Sequence, residues 1–126
     1  RVIWVDDRPD NNLHERAMLA KLQIEVVTAR STDEALARIQ ADAQGGEPFD
    51  LVLSDWSRPP EGALAAIHLI QTLREAGQTQ PVIVYHGEMA AAARQQRAAK
   101  LQAAGALGEA VMPAELMALV QRALNP

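Results

Sequence analysis

Three carboxylates are the groups whose type and spacing could do chemistry in this chain. Residues 2–7 (Val-Ile-Trp-Val-Asp-Asp) form a short apolar run that ends on two adjacent aspartates, Asp6 and Asp7. Residues 50–55 (Asp-Leu-Val-Leu-Ser-Asp) repeat the design and end on Asp55. Successive apolar positions suit a strand buried on both faces, as in the middle of a parallel sheet. Open α/β sheets place their ligands just beyond the carboxyl ends of such strands. If the two strands are parallel neighbours, all three aspartates converge on one small patch. Two like charges about 4 Å apart repel by roughly 4 kcal/mol at an effective dielectric of about 20. Such a patch must therefore hold a cation or raise one carboxyl pKa, and the arrangement points to a divalent metal.

Positioning those aspartates requires strands joined by helical crossovers, and the chain supplies both. Residues 8–12 read as a polar turn in which Asp10 or Asn11 caps a helix that carries Leu13, Ala17, Leu19 and Ala20 inward. Residues 23–28 alternate and are β-branched, as a second strand should be. Ser31 and Glu34 have the spacing of a capping box, opening a helix that buries Ala35, Leu36 and Ile39. Residues 45–48 (Gly-Gly-Glu-Pro) break the chain before the second acidic strand, and residues 56–62, with two prolines and a glycine, form a loop after it. Leu64, Ile67, Ile70 and Leu73 line one side of a third helix that Gly77 terminates.

Residues 81–86 make a fourth strand. Residues 88–104 are alanine-rich, with Met89 and Leu101 as the only large apolar side chains. That helix has good propensity but little to bury, and is expected to be the least firmly held. Gly105 ends it. Residues 106–111 form a weak fifth strand, and Pro113 starts a helix in which Leu116, Leu119, Val120, Ala123 and Leu124 share a face. Five strands alternating with five helices imply a parallel sheet covered on both faces, because each right-handed crossover needs a helix.

The totals set bounds. The 126 residues, 48% apolar, suffice for one core, so residues 1–126 are read as a single domain. Because the chain starts at Arg1 directly on a strand and stops soon after its last helical pattern, it is expected to be a domain cut from a longer protein. A formal charge of −4, with both signs mixed along the chain, gives no reason to expect nucleic-acid binding. The absence of cysteine excludes a disulfide framework and fits a reducing compartment, the cytoplasm. No apolar run approaches the roughly 18 residues of a membrane span.

A strand ending in Asp-Asp, a helix, a strand, a helix and a strand ending in Asp resembles the receiver domain of bacterial two-component response regulators. The resemblance covers essentially the whole chain. Residues 55–59 (Asp-Trp-Ser-Arg-Pro) keep the family's aspartate and the proline four residues later, and Gly62 closes the loop. Gly105, Ala106, Gly108 and Pro113 match the fifth-strand region in order and spacing, while residues 3–12 look like a divergent, atypical branch. The resemblance implies a flavodoxin-like, doubly wound (βα)5 three-layer sandwich with a five-stranded parallel sheet in order 2-1-3-4-5. It implies that Asp55 accepts a phosphoryl group from a partner sensor kinase's phosphohistidine. It also implies that Asp6, Asp7, Asp55 and the backbone carbonyl of Ser57 hold Mg²⁺, a role that suits an ion taking few carboxylates and keeping several waters.

Three family positions depart. His86 stands for the hydroxyl residue after the fourth strand, Glu109 for the aromatic switch of the fifth, and Met112 for the lysine before the proline. His86 could take over part of the lysine's task, or be a loop histidine with no pocket role. Met112 reads as a filler of the volume a lysine stem would occupy, and Glu109 as a solvated replacement. Arg94, Arg97 and Lys100 read as a solvated helical face rather than a docking patch, and Trp56 as loop packing. His14 and His68 have no partner at metal-ligand spacing.

Two functions follow: a Mg²⁺-dependent phosphoryl-accepting signalling receiver with degenerate switch residues, or a pseudo-receiver serving as a phosphorylation-independent interaction module. Neither is an enzyme beyond phosphoryl acceptance and autodephosphorylation. A small Mg²⁺-dependent hydrolase on the same sheet is weaker, for want of a separate nucleophile–base pair. The implied partners are a histidine kinase or other signalling protein, and an output domain that could share the chain; neither nucleic acid nor membrane is expected.

Overall fold

A computed structural model of the protein describes residues 1–56, 62, 64–86 and 91–125. Among the described residues eleven elements follow one another: β1 (Val2–Val5), a 3-10 turn (Pro9–Asn12), α1 (Leu13–Lys21), β2 (Val26–Ala29), α2 (Thr32–Gly45), β3 (Leu51–Ser54), α3 (Ala65–Glu75), β4 (Val82–Tyr85), α4 (Ala91–Ala104), β5 (Gly108–Ala110) and α5 (Pro113–Leu124). The five strands form one sheet in the order β2-β1-β3-β4-β5, and every pairing is parallel. This is the order and architecture expected from the sequence.

Strand alternation sorts the core into the two outer layers. Ile3, Val5, Val52 and Val82 point to one face, against Ala35 and Ile39 of α2 and Leu69, Ile70 and Leu73 of α3. Val2, Trp4, Leu51, Leu53 and Ile83 point to the other, against Leu19 of α1 and Leu116 and Val120 of α5. All four residues of β1 and of β3 are buried, which explains why those strands read as unbroken apolar runs. Leu101, the one large apolar side chain of α4 among the described residues, is 2% exposed and packs with Ala66 and Val84.

Local signals behave as their chemistry dictates at several ends. The Ser31 Oγ accepts the Glu34 N–H at 3.1 Å, capping α2. Gly77 and Gly105 adopt φ of +80° and +97° where α3 and α4 stop, a conformation that costs glycine little. Other expectations need correcting. Neither Asp10 nor Asn11 caps α1; Asn12 occupies the cap position, and its side chain makes no capping bond. Leu13 is 58% exposed and Leu64 51% exposed, while Ala17 and Ala20 face solvent. On the first helix Leu19 is buried as expected, but Asn12 and Glu15 are buried where Leu13, Ala17 and Ala20 are expected; on the third, Ile70 and Leu73 are buried as expected and Ala65, Ala66 and Leu69 join them. The second strand starts at Val26 rather than at residue 23, because Gln23 turns the chain with φ of +62°. Ser57, Pro59 and Met89 lie outside the described residues.

Candidate functional site

Strand register brings the aspartates together. Val5 of β1 lies opposite Ser54 of β3, so Asp6 and Asp55 leave the sheet side by side. Their backbones stay in the ladder: the Asp6 N–H donates to the Ala29 carbonyl at 2.9 Å, and the Asp55 N–H to the Val5 carbonyl at 3.2 Å. One carboxylate oxygen from each of Asp6, Asp7 and Asp55 lies within 4.8 Å of the other two, and all three residues are half-buried. Asp6 is held from two sides. Its Oδ1 accepts the Arg8 N–H at 2.8 Å, and its Oδ2 accepts Asn12 Nδ2 at 2.9 Å. The Ser54 hydroxyl donates to the Asp55 backbone carbonyl at 2.8 Å and lies 3.5 Å from Asp55 Oδ1.

This donor set suits a hard cation. Three clustered carboxylates offer only oxygen, and two ligands across a Mg²⁺ ion stand about 4.2 Å apart, at about 2.1 Å each. The carboxylates open into a cavity of about 510 Å³ that they share with Asn12, Glu15, Trp56, Tyr85, His86 and Arg97. Asn12 and Glu15 are 7% and 8% exposed. The sequence pattern assigns neither a role, although both follow the Asp-Asp pair at a spacing that returns them to its side of α1. Burial pushes the Tyr85 hydroxyl above its usual pKa, and the charges of Glu15 and Glu115 push it further.

Two of the departing positions, His86 and Glu109, form a second, connected part of the site. His86 lines the cavity, with Nδ1 3.2 Å from Arg97 Nη1 and Nε2 2.9 Å from Glu109 Oε2. A guanidinium can only donate, so Nδ1 accepts from Arg97 and the Nε2–H donates to Glu109. The imidazole thus relays one hydrogen bond into another. Glu109 is not a solvated replacement: its side chain is 11% exposed and also lies 3.7 Å from Arg94 Nε. Arg94 continues the chain of charges to Glu115 at 2.8 Å, which holds the Glu115 carboxyl below the usual carboxylate range.

Arg94 and Arg97 therefore do not belong to a solvated face, whereas Lys100 is exposed. Positions 94, 97 and 101 share one side of α4, so the buried Leu101 marks the inward face and could have revealed both arginines. Trp56 is half-buried and supports the Arg97 guanidinium 4.6 Å from its ring centroid, a contact worth about 0.5–1 kcal/mol. Burial pulls the Arg97 pKa below that of a free arginine, and the Glu109 charge partly offsets it. Met112 fills no lysine-shaped space: it is 49% exposed, at the N-cap of α5, and does not line the cavity.

No protein-family model and no curated protein matches the sequence. Solved structures do. The chain resembles the Vibrio cholerae chemotaxis protein CheY4 (26% identity, TM-score 0.73, covering 97% of this chain and 96% of that one). It resembles the receiver domain of NtrX from Brucella abortus with 22% identity, a TM-score of 0.78 and 98% coverage of both chains. It also resembles the BeF3-activated N-terminal receiver domain of Klebsiella pneumoniae RstA, with 24% identity, a TM-score of 0.74, and 99% and 98% coverage.

Proposed function

The chain is by fold a response-regulator receiver domain, and from that premise we propose that it accepts a phosphoryl group on Asp55 in phosphorelay signalling. The observation that carries the reading is the meeting of three carboxylates within 4.8 Å at the ends of two adjacent parallel strands. In the proposed step, an Asp55 carboxylate oxygen attacks the phosphorus of a partner kinase's phosphohistidine. The O–P bond forms as the N–P bond breaks, and the leaving imidazole takes its proton from solvent. Mg²⁺, when bound, supplies positive charge to the transferring group. Asp6 and Asp7 would hold that ion, with Asn12 and the Arg8 N–H fixing the Asp6 carboxylate. Hydrolysis of the acyl phosphate would return Asp55, so the domain's own chemistry is acceptance and autodephosphorylation. Among the described residues no helix is long and apolar enough to cross a membrane, and the partners proposed are a histidine kinase and an output domain.

The test incubates the domain with Mg²⁺ and a small phosphoramidate donor and follows intact mass, beside Asp55→Asn. The expected result is one added phosphoryl group on the wild type, none on Asp55→Asn and none in the presence of a chelator. Equal labelling of both proteins, or of neither, sinks the proposal. A second reading, a phosphorylation-independent interaction module, is favoured by the pairing of His86, Glu109, Arg94 and Glu115 with one another where the family keeps its switch. It stands if the phosphodonor labels neither protein while the domain still captures a signalling partner.

A further inference from the structure

The cation that the family supplies from the residue before the α5 proline is missing here, because Met112 is uncharged, exposed and outside the cavity. Among the described residues that line the cavity, one side chain carries a permanent positive charge: Arg97. It comes from a different element, α4, and three features hold it in place. Its guanidinium lies over Trp56, the residue next to Asp55 in the chain, 4.6 Å from the ring centroid. Its Nη1 donates to His86 Nδ1 at 3.2 Å, and that ring is tied through Nε2 to Glu109. The helix carrying it is pinned by Leu101 and by the Arg94–Glu115 pair.

Aromatic stacking leaves the guanidinium edge open to hydrogen bonding, and arginine has five N–H donors in a planar fork. Donation to His86 uses one of them. The others can meet a tetrahedral oxyanion in the same cavity, where a fork of parallel N–H groups matches two phosphoryl oxygens. A half-buried guanidinium gains more from such an anion than a solvated one, since less water competes.

Resting on the reading of Asp55 as the acceptor, we propose that Arg97 is the phosphoryl-binding residue of this domain, held ready by Trp56 and His86. The charge balance that other receivers obtain from a lysine after β5 would then come from α4. The same residue should weaken metal binding before phosphorylation, because its charge repels a divalent cation in the same cavity. Mg²⁺ and phosphoryl binding therefore respond to Arg97 with opposite sign.

Beryllofluoride, a mimic of the acyl phosphate, makes this measurable by fluorine NMR in the presence of Mg²⁺. Mg²⁺ alone is titrated in parallel through tryptophan fluorescence. Arg97→Ala and Arg97→Gln are expected to lose tenfold or more in beryllofluoride affinity while binding Mg²⁺ alone at least as tightly as the wild type. Unchanged beryllofluoride affinity in both arginine variants overturns the inference. So does a parallel loss of both ligands, which indicates a structural role only. If the wild type itself gives no bound fluoride signal that Asp55→Asn abolishes, the acceptor reading fails first and takes this inference with it.

Discussion

The two ends of β1 treat negative charge in opposite ways. Just before the strand, the Arg1 guanidinium meets Glu25 at 3.0 Å and Asp42 at 2.8 Å, and lies over the Phe49 ring at 4.4 Å. Just after it, Asp6 and Asp7 meet Asp55, another carboxylate, with Glu15 on the same cavity wall. At the first end the chain neutralises its own acids with a side chain packed for that purpose. At the second end the carboxylates are gathered and oriented, and Arg97 reaches the same cavity from a distant helix. Clustered like charge costs stability in the absence of a counter-ion, and among the described residues it is kept at the carboxyl end of the strand, the end proposed above to bind metal.

The largest expected effect separates the ends by their need for metal. Mg²⁺ at about 100 times its dissociation constant should stabilise the wild type by about 2.7 kcal/mol. At about 4 °C per kcal/mol for a chain of this size, that is a rise of roughly 10 °C in melting temperature. Asp7→Asn should remove most of that rise and should melt higher than the wild type in chelator, since it relieves like-charge repulsion. Thermal scans with and without Mg²⁺ check both signs. A variant that melts lower in chelator and keeps its Mg²⁺ response contradicts the comparison.

The opposite end should show acid sensitivity without metal sensitivity. Arg1 holds the Asp42 carboxyl below the usual carboxylate range, chiefly through their hydrogen bond. A depressed folded-state pKa contributes stability that is complete above the unfolded value and lost as pH falls through the folded one. Arg1→Met should therefore melt below the wild type at neutral pH. That difference should narrow as the pH drops below about 4, with no change in the Mg²⁺ response. Acid titration of melting temperature for both proteins decides it; a constant gap down to low pH argues against the pairing.

The smallest effect belongs to the relay beyond the cavity. Arg94 depresses the Glu115 carboxyl in the same sense, but that side chain is 40% exposed and solvent screens the pair. Glu115→Gln should lose a little stability near neutral pH and none under acid conditions. His86→Ala should change beryllofluoride affinity less than Arg97→Ala does, because it positions the arginine and does not touch the anion.

Much of the site is legible in the sequence. Adjacent carboxylates at the ends of two apolar runs are a local feature, and parallel crossovers leave few ways to arrange the strands that carry them. The capping serine at position 31 and the glycines at 77 and 105 are equally local. Leu13 and Leu64 mislead because each sits at the start of its helix. There a shift of one or two residues in the first turn rotates the apparent apolar face by about 100° per residue. Asn12 and Glu15 escape notice because a polar side chain near a turn ordinarily faces water, and only the cavity gives them another place.

What the sequence determined by itself, then, is the order of elements and the gathering of Asp6, Asp7 and Asp55, both of which follow from short-range pattern and chain connectivity. What only the tertiary structure decided is which charged side chains come inside. Arg97 and His86 stand 11 residues apart, and His86 and Glu109 stand 23 apart, on α4, just past β4 and on β5. Whether such groups pair or dissolve into solvent depends on distances that no local pattern encodes. In this chain they pair, and an arginine that looked like part of a solvated helix faces the acidic end of the sheet.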